Sequence, residues 1–202
     1  MKKRVPKGAK LASLGQKMQN RVLDFIPGSL QKRMESPLFS GKGPKLGYTN
    51  LYESLKLHRG SVFAPAEPYE GMDLALYFPG CGGSLFYDRI GLSSIMLLLV
   101  SGVAVAVPPV HLCCGVPLLA AGMDTEFDDN MAKNRQYLTS MLRDLGRQGF
   151  NCRWLVTSCG SCRDGLERLN LEESFPELVR QDITQLVLPR LLDNKTHEGR
   201  KF

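Results

Sequence analysis

Charged residues open the chain and no continuous apolar core follows them, so it shows no secretory signal. Histidine is scarce, with three residues, and tryptophan occurs once. Acidic residues are nearly missing from one end: residues 1–59 carry 13 Lys/Arg against 3 Asp/Glu, while residues 60–202 carry 13 against 17. The net charge of +6 therefore belongs to an N-terminal arm. That arm has no clear stacking aromatics and no recognisable nucleic-acid module, so nucleic acid is not expected as a partner. A partner protein or a membrane surface fits it better, with a solvated basic extension as the plain alternative. Six cysteines without export point to reduced thiols in the cytoplasm, with the arm in peripheral contact with the inner face of a membrane.

The chain is long enough, at 202 residues and 43% apolar content, for one well-cored domain plus an appendage. Its uncharged run from Ile90 to Val110 approaches the length of a membrane span. Gly91, Ser93, Ser94, Ser101 and Gly102 interrupt that run, and Val103–Val107 before Pro108 and Pro109 reads as a buried strand that stops. A span would also put Cys81 and Cys113 on opposite sides of a bilayer. A buried helix followed by a strand is the better reading.

In order, a Lys-rich start leads into a weak helical pattern from Leu14 to Ile26, with Leu14, Met18, Val22 and Phe25 on one face. A short helix is expected at Ser29–Met34, then a Gly/Pro/Ser-rich connector over residues 35–70 with one helical turn at Leu51–Leu57. Leu74–Phe78 reads as a buried strand that ends in a tight loop carrying Cys81. A helix over about 85–100, the strand Val103–Val107 and a loop with Cys113 and Cys114 follow. Pro117 suits the first turn of a short helix ended by Gly122. The longest helix, about 128–147, is expected to be capped by Asp124 or Thr125 and to bury Met131, Leu138, Met141, Leu142 and Leu145. Arg153–Thr157 is the third strand, a helix follows Cys162, and a last helix over 181–192 carries Ile183, Leu186, Val187 and Leu191. The expected division is a basic arm and connector over 1–72, a domain over 73–192 and a tail over 193–202.

Strand, loop and helix repeat three times, which predicts an α/β domain with a mainly parallel sheet covered by helices. Ligands of such sheets gather at the carboxyl ends of the strands, and each strand here delivers cysteines at that end. Cys81, Cys113, Cys114, Cys159 and Cys162 are therefore read as one shared site. Five thiolates exceed what tetrahedral zinc can use, and adjacent Cys113 and Cys114 reach two irons more easily than one ion. Zinc held by Cys81, Cys159, Cys162 and one of the adjacent pair, in a binding or assembly module without redox activity, is the alternative. Cys159 and Cys162 alone would suit a thiol–disulfide motif. Gly82, Gly115, Gly160 and Ser161 surround the ligands. His111 serves as a nitrogen ligand, a proton donor or, more simply, a hydrogen-bonding neighbour. Cys152, outside the loops, is expected to be a small buried hydrophobe, and His58 and His197 carry no chemistry.

The segments Tyr77-Phe-Pro-Gly-Cys81, Leu112-Cys-Cys-Gly-Val-Pro117 and Val156-Thr-Ser-Cys-Gly-Ser-Cys162, with Asp182–Leu186 more weakly, resemble the cysteine-rich CCG domain. That domain occurs in the catalytic subunit of heterodisulfide reductase and in the iron-sulfur subunits of glycolate oxidase, anaerobic glycerol-3-phosphate dehydrogenase and lactate-utilisation proteins. The resemblance implies a small Rossmann-like three-layer domain whose five motif cysteines hold a [4Fe-4S] cluster, non-cubane in heterodisulfide reductase. It also implies an oxidoreductase subunit that passes electrons from a flavoprotein or ferredoxin-like partner to an acceptor such as a quinone or disulfide. Family members commonly carry two such motifs and many add a ferredoxin-like part. This chain has one motif, which implies a subunit of a larger assembly or one piece of a divided gene.

Overall fold

The computed structural model describes residues 49–57, 61–65 and 72–193. The helices expected at Leu14–Ile26 and Ser29–Met34, the rest of the basic arm, and His58 and His197 lie outside the described residues.

Five strands form one sheet: β1 (Ser61–Phe63), β2 (Leu74–Phe78), β3 (Ala104–Val107), β4 (Cys152–Thr157) and β5 (Val179–Asp182). Their spatial order is β1-β3-β2-β4-β5, with β1 antiparallel to β3 and every other pair parallel. All residues of β2 and β3 are buried, as expected of parallel strands covered on both faces. Alternation sends Leu74, Leu76 and Phe78 to one face and Ala75 and Tyr77 to the other.

Two cores follow, one per face. The first packs β2 and Leu155 against α4 (Asp124–Arg147) and α5 (Gly160–Glu167), through Phe127, Met131, Leu138, Leu142, Leu145 and Leu166. The second packs Tyr77, Val105 and Val156 against α1 (Leu51–Ser54), α2 (Asp88–Val100) and α6 (Ile183–Asp193), through Leu51, Ile95, Leu98, Ile183, Leu186 and Val187. The three-layer Rossmann-like arrangement is thus present. Truncating fully buried Leu76 or Phe78 to alanine should cost about 2–5 kcal/mol. A short helix α3 (Val116–Ala120), with Pro117 in its first turn, stands between β3 and α4. Among the described residues no helix is long and apolar enough to cross a membrane.

Several boundaries differ from expectation. β1 comes from the stretch read as connector, and pairing with β3 fixes it, whereas α1 lies within the helical turn expected at Leu51–Leu57 and packs on α2. β5 occupies residues read as the start of the last helix, which begins at Ile183 after Asp182 caps its first turn through Thr184. The long helix begins at Asp124, not 128, and its cap position is Met123 without a side-chain hydrogen bond. Between β2 and α2 lies a π-helical turn, Gly82–Phe86. α5 begins at Gly160, so Cys159 heads the helix and Cys162 lies inside its first turn.

Candidate functional site

β2 runs on one side to β3 through α2, and β3 returns across it to β4 through α3 and α4. The order of the sheet therefore reverses between β2 and β4, and the crevice outside the carboxyl ends at such a reversal is where α/β sheets bind ligands. The loops leaving β2 and β4 carry Gly80-Cys81 and Ser158-Cys159, and the loop after β3 carries Cys113-Cys114. Tyr77 and Ser158 join the first two, hydroxyl to hydroxyl at 2.8 Å.

The backbone is shaped to bring sulfur close. Gly80 has φ +60°, and a Cβ there would lie 2.5 Å from Cys162 Sγ. Gly165 on α5 lies against Cys114, and a Cβ there would meet its carbonyl oxygen at 2.6 Å. Gly115, at φ +77°, turns the chain into α3 where a side chain would strike Phe127 and Asn130. Two side chains of α4 hold the third loop: Asn130 and Asn134 both donate their amides to the Cys113 carbonyl, at 2.9 and 2.7 Å.

Cys114 lies between Cys113 and Cys162, near enough to each to affect its own ionisation. The Cys113 thiol is pushed well above the ordinary range by its hydrogen bond with Cys114 and by burial, against a pull down from the Gly115 N–H. For Cys114, the hydrogen bond with Cys113 favours the thiolate. The bond with Cys162 and burial outweigh it, and the thiol is pushed up to about 11. Cys113 and Cys114 therefore resist ionising while no cation balances them, and metal binding to such thiols releases protons. Cys114 and Cys162 are buried, whereas Cys81, Cys113 and Cys159 are partly exposed. Cys81 heads the π-helical turn directly after Gly80, and Cys159 heads α5. Both Cys162 and Cys159 lie close enough to Tyr77 that their charge helps raise its phenol, although burial is the main cause.

Among the expected neighbours, Gly115 N–H reaches Cys113 Sγ at 3.4 Å, while Gly82 is partly exposed and Gly160 and Ser161 are exposed. His111 Nδ1 lies 3.0 Å from Ser84 Oγ, whose hydroxyl donates to the Gly80 carbonyl. With that proton spent, Ser84 accepts from His111, so the imidazole carries its hydrogen on Nδ1. Burial lowers the pKa of His111 and favours this neutral ring. His111 is thus a hydrogen-bonding neighbour of Ser84. It ties the loop before Cys113 to the loop that carries Cys81.

Cys152 stands at the opposite end of β4, about 16 Å from Thr157 at the usual strand rise. Burial pushes its thiol up to about 12, and it donates to the Trp154 carbonyl at 3.6 Å. Sequence reasoning missed Asn130, Asn134, Ser84, Gly165 and Thr157. No pattern signals the asparagines, which sit among polar residues of an amphipathic helix. Thr157 is 2% exposed, and its buried hydroxyl has no partner among the described residues. It shares a face of β4 with Leu155, in the core that holds Cys114 and Cys162.

Among the described residues no three Cys, His, Asp or Glu side chains are gathered tightly enough to close on one metal ion. Ligands of separate irons need no such closeness.

An α/β domain that pools cysteines from three strand ends at its sheet reversal is, as a class, a thiol-rich ligand-binding scaffold. Residues 75–167 match the family model described as the CCG cysteine-rich domain. Over that stretch, which holds Cys81, Cys113, Cys114, Cys159 and Cys162, the chain is similar to this domain. It is similar to an uncharacterized iron-sulfur protein of Methanococcus maripaludis, 30% identical over 120 residues, which are 59% of this chain and 22% of that protein. The chain thus covers well under two thirds of the relative's length. No solved structure matches.

Proposed function

We propose that this chain is an iron-sulfur subunit that binds one [4Fe-4S]-type cluster through Cys81, Cys113, Cys114, Cys159 and Cys162. Its role in this reading is electron transfer between a partner subunit and an acceptor such as a quinone or a disulfide. The observation that carries the reading is the convergence of the cysteine-bearing loops of β2, β3 and β4 at the reversal of the sheet, with Gly80 against Cys162 and Gly165 against Cys114. The family match and the iron-sulfur name of the Methanococcus maripaludis relative support it.

The residues present fit such a group. Soft thiols come from three loops, glycines keep side chains out of the approach, and the buried Thr157 hydroxyl has a hydrogen to give. Backbone N–H groups of Gly115 and Val116 point at Cys113 and Cys114 and favour their thiolate forms. When bound, the cluster supplies reversible electron storage at a potential set by hydrogen bonds and exposure. Asn130 and Asn134 fix the peptide of Cys113, and Gly80 and Gly165 let Cys162 and Cys114 approach. Ser84 and His111 hold the Cys81 loop, with a proton kept on Nδ1. A flavoprotein or ferredoxin-like subunit is the proposed partner, and the basic arm is the proposed point of peripheral membrane contact.

The test compares Cys114→Ser with Cys152→Ser in protein purified without oxygen. Iron and acid-labile sulfide should be lost from the first and kept by the second. Equal loss, or equal retention, would refute the ligand assignment.

A further inference from the structure

Two buried polar side-chain atoms have no hydrogen-bond partner among the described residues, the Thr157 hydroxyl and the Gln181 amide oxygen. They belong to opposite faces of the sheet. Gln181 pairs in register with Val156, whose side chain lies in the core of α1, α2 and α6. Thr157 alternates with Val156 and shares the other face with Leu155 and with Phe78, its register partner on β2. That face holds Cys114 and Cys162, so of the two unpaired atoms only the Thr157 hydroxyl is on the cysteine side.

Thr157 is also the last residue of β4, where the strand gives way to Ser158, Cys159 and α5. Its neighbour Phe78 borders the Cys162 thiol: a Cβ on Gly80 would stand 4.0 Å from the Phe78 ring and 2.5 Å from Cys162 Sγ. Adjacent strands lie about 4.8 Å apart, which puts Thr157 one strand from that contact. Valine has the same shape, no group to satisfy and a good fit to a strand buried on both faces. A hydroxyl here is stripped of water with nothing in the described protein to replace it. By contrast, buried Ser84 and Ser101 donate to the carbonyls of Gly80 and Leu98.

We propose that the Thr157 hydroxyl donates its one hydrogen to a sulfur of the group held by the motif cysteines, on the side of Cys114 and Cys162, and so sets that group's reduction potential. The proposal rests on the cluster reading above. Reduction by one electron adds one negative charge to be shared by the sulfurs, and a donor aimed at sulfur favours that state and raises the potential.

The test measures iron, acid-labile sulfide and midpoint potential on the full chain, purified without oxygen, for the wild type, Thr157→Val and Thr157→Ser. Thr157→Val should keep its iron and sulfide yet disfavour the reduced form about tenfold, a midpoint about 59 mV lower for one electron. Thr157→Ser, which keeps the hydroxyl, should stay close to the wild-type potential. Gln181→Leu, which removes the unpaired atom of the other face, should leave the potential where it is. A wild-type chain with neither iron nor sulfide would take away the cluster reading and this proposal with it. A loaded wild type whose potential is unchanged by Thr157→Val, or moved as far by Thr157→Ser, would overturn this proposal alone. Loss of iron from both Thr157 variants would make the residue structural and overturn it as well.

Discussion

Removing Asn134 is the sharpest perturbation of the loop that presents Cys113 and Cys114. Its side chain is 3% exposed and donates to the Cys113 carbonyl at 2.7 Å, beside the more exposed Asn130 at 2.9 Å. A buried hydrogen bond contributes about 1 kcal/mol net, and leaving a partner unpaired costs about 1–3 kcal/mol. Alanine recovers up to about 0.7 kcal/mol of helix propensity. Asn134→Ala should therefore destabilise the domain by about 1–2 kcal/mol, and Asn130→Ala by about half of that. In a chain of this size each kcal/mol lowers the midpoint of thermal unfolding by roughly 2–4 °C. The carbonyl keeps one donor after either single change and none after both. The double variant should consequently exceed the sum of the singles by at least about 0.5 kcal/mol. Thermal or urea unfolding of the four proteins measures this cycle, and iron release to a chelator measures the effect on the site. Additive singles, or an Asn134→Ala protein with wild-type stability and iron release, would refute the claim that these amides hold the loop.

Gly80→Ala forces a non-glycine residue to φ +60° and puts a methyl 2.5 Å from Cys162 Sγ. It should cost about 1–3 kcal/mol of strain and lower iron content, whereas Gly149→Ala, strained but in open space, should leave iron content unchanged. Cys152 should resist alkylation at pH 8 in the folded protein. Because burial raises its pKa to about 12, the unfolded chain ionises first as pH rises. The stability that Cys152 contributes is thus complete below the ordinary thiol pKa and falls away toward pH 12. Cys152→Ala should flatten that alkaline slope in unfolding titrations. Asp73 pairs with Arg190 at 3.0 Å and Arg153 at 3.7 Å, and both guanidinium groups lie over the ring of Trp154. Asp73→Ala should lower stability by about 0.5–2 kcal/mol and shift the fluorescence of this single tryptophan, while an unchanged spectrum would show that Asp73 does not place the arginines.

The central strands were legible because burial on both faces turns β2 and β3 into unbroken apolar runs stopped by proline, and gives β4 its apolar stretch Trp154–Val156 shortly before Cys159. The long helix showed itself through Met131, Leu138, Leu142 and Leu145 at helical spacing. Both edge strands were hidden. Ser61–Phe63 is three residues inside a loop-like stretch, and Val179–Asp182 is mostly polar, so only their partners β3 and β4 make them strands. The early start of α5 escaped notice because Cys159 caps no backbone group through its side chain. The spacing of cysteines pointed to a pooled site, but how closely their loops approach depends on Gly80 and Gly165, whose role appears only when α5 meets the loops of β2 and β3. Asn130 and Asn134 could not be read at all, since a polar residue on a half-exposed helix carries no mark of a distant carbonyl.

The most direct test of the central claim is the content of iron, acid-labile sulfide and zinc per chain in protein purified without oxygen, with an electron paramagnetic resonance spectrum of the same sample after oxidation and after reduction. The account predicts about four irons and four sulfides, little zinc, and a cluster signal in one of the two states. One tightly held zinc per chain, with neither iron nor sulfide, would contradict it and make the pooled cysteines a structural site.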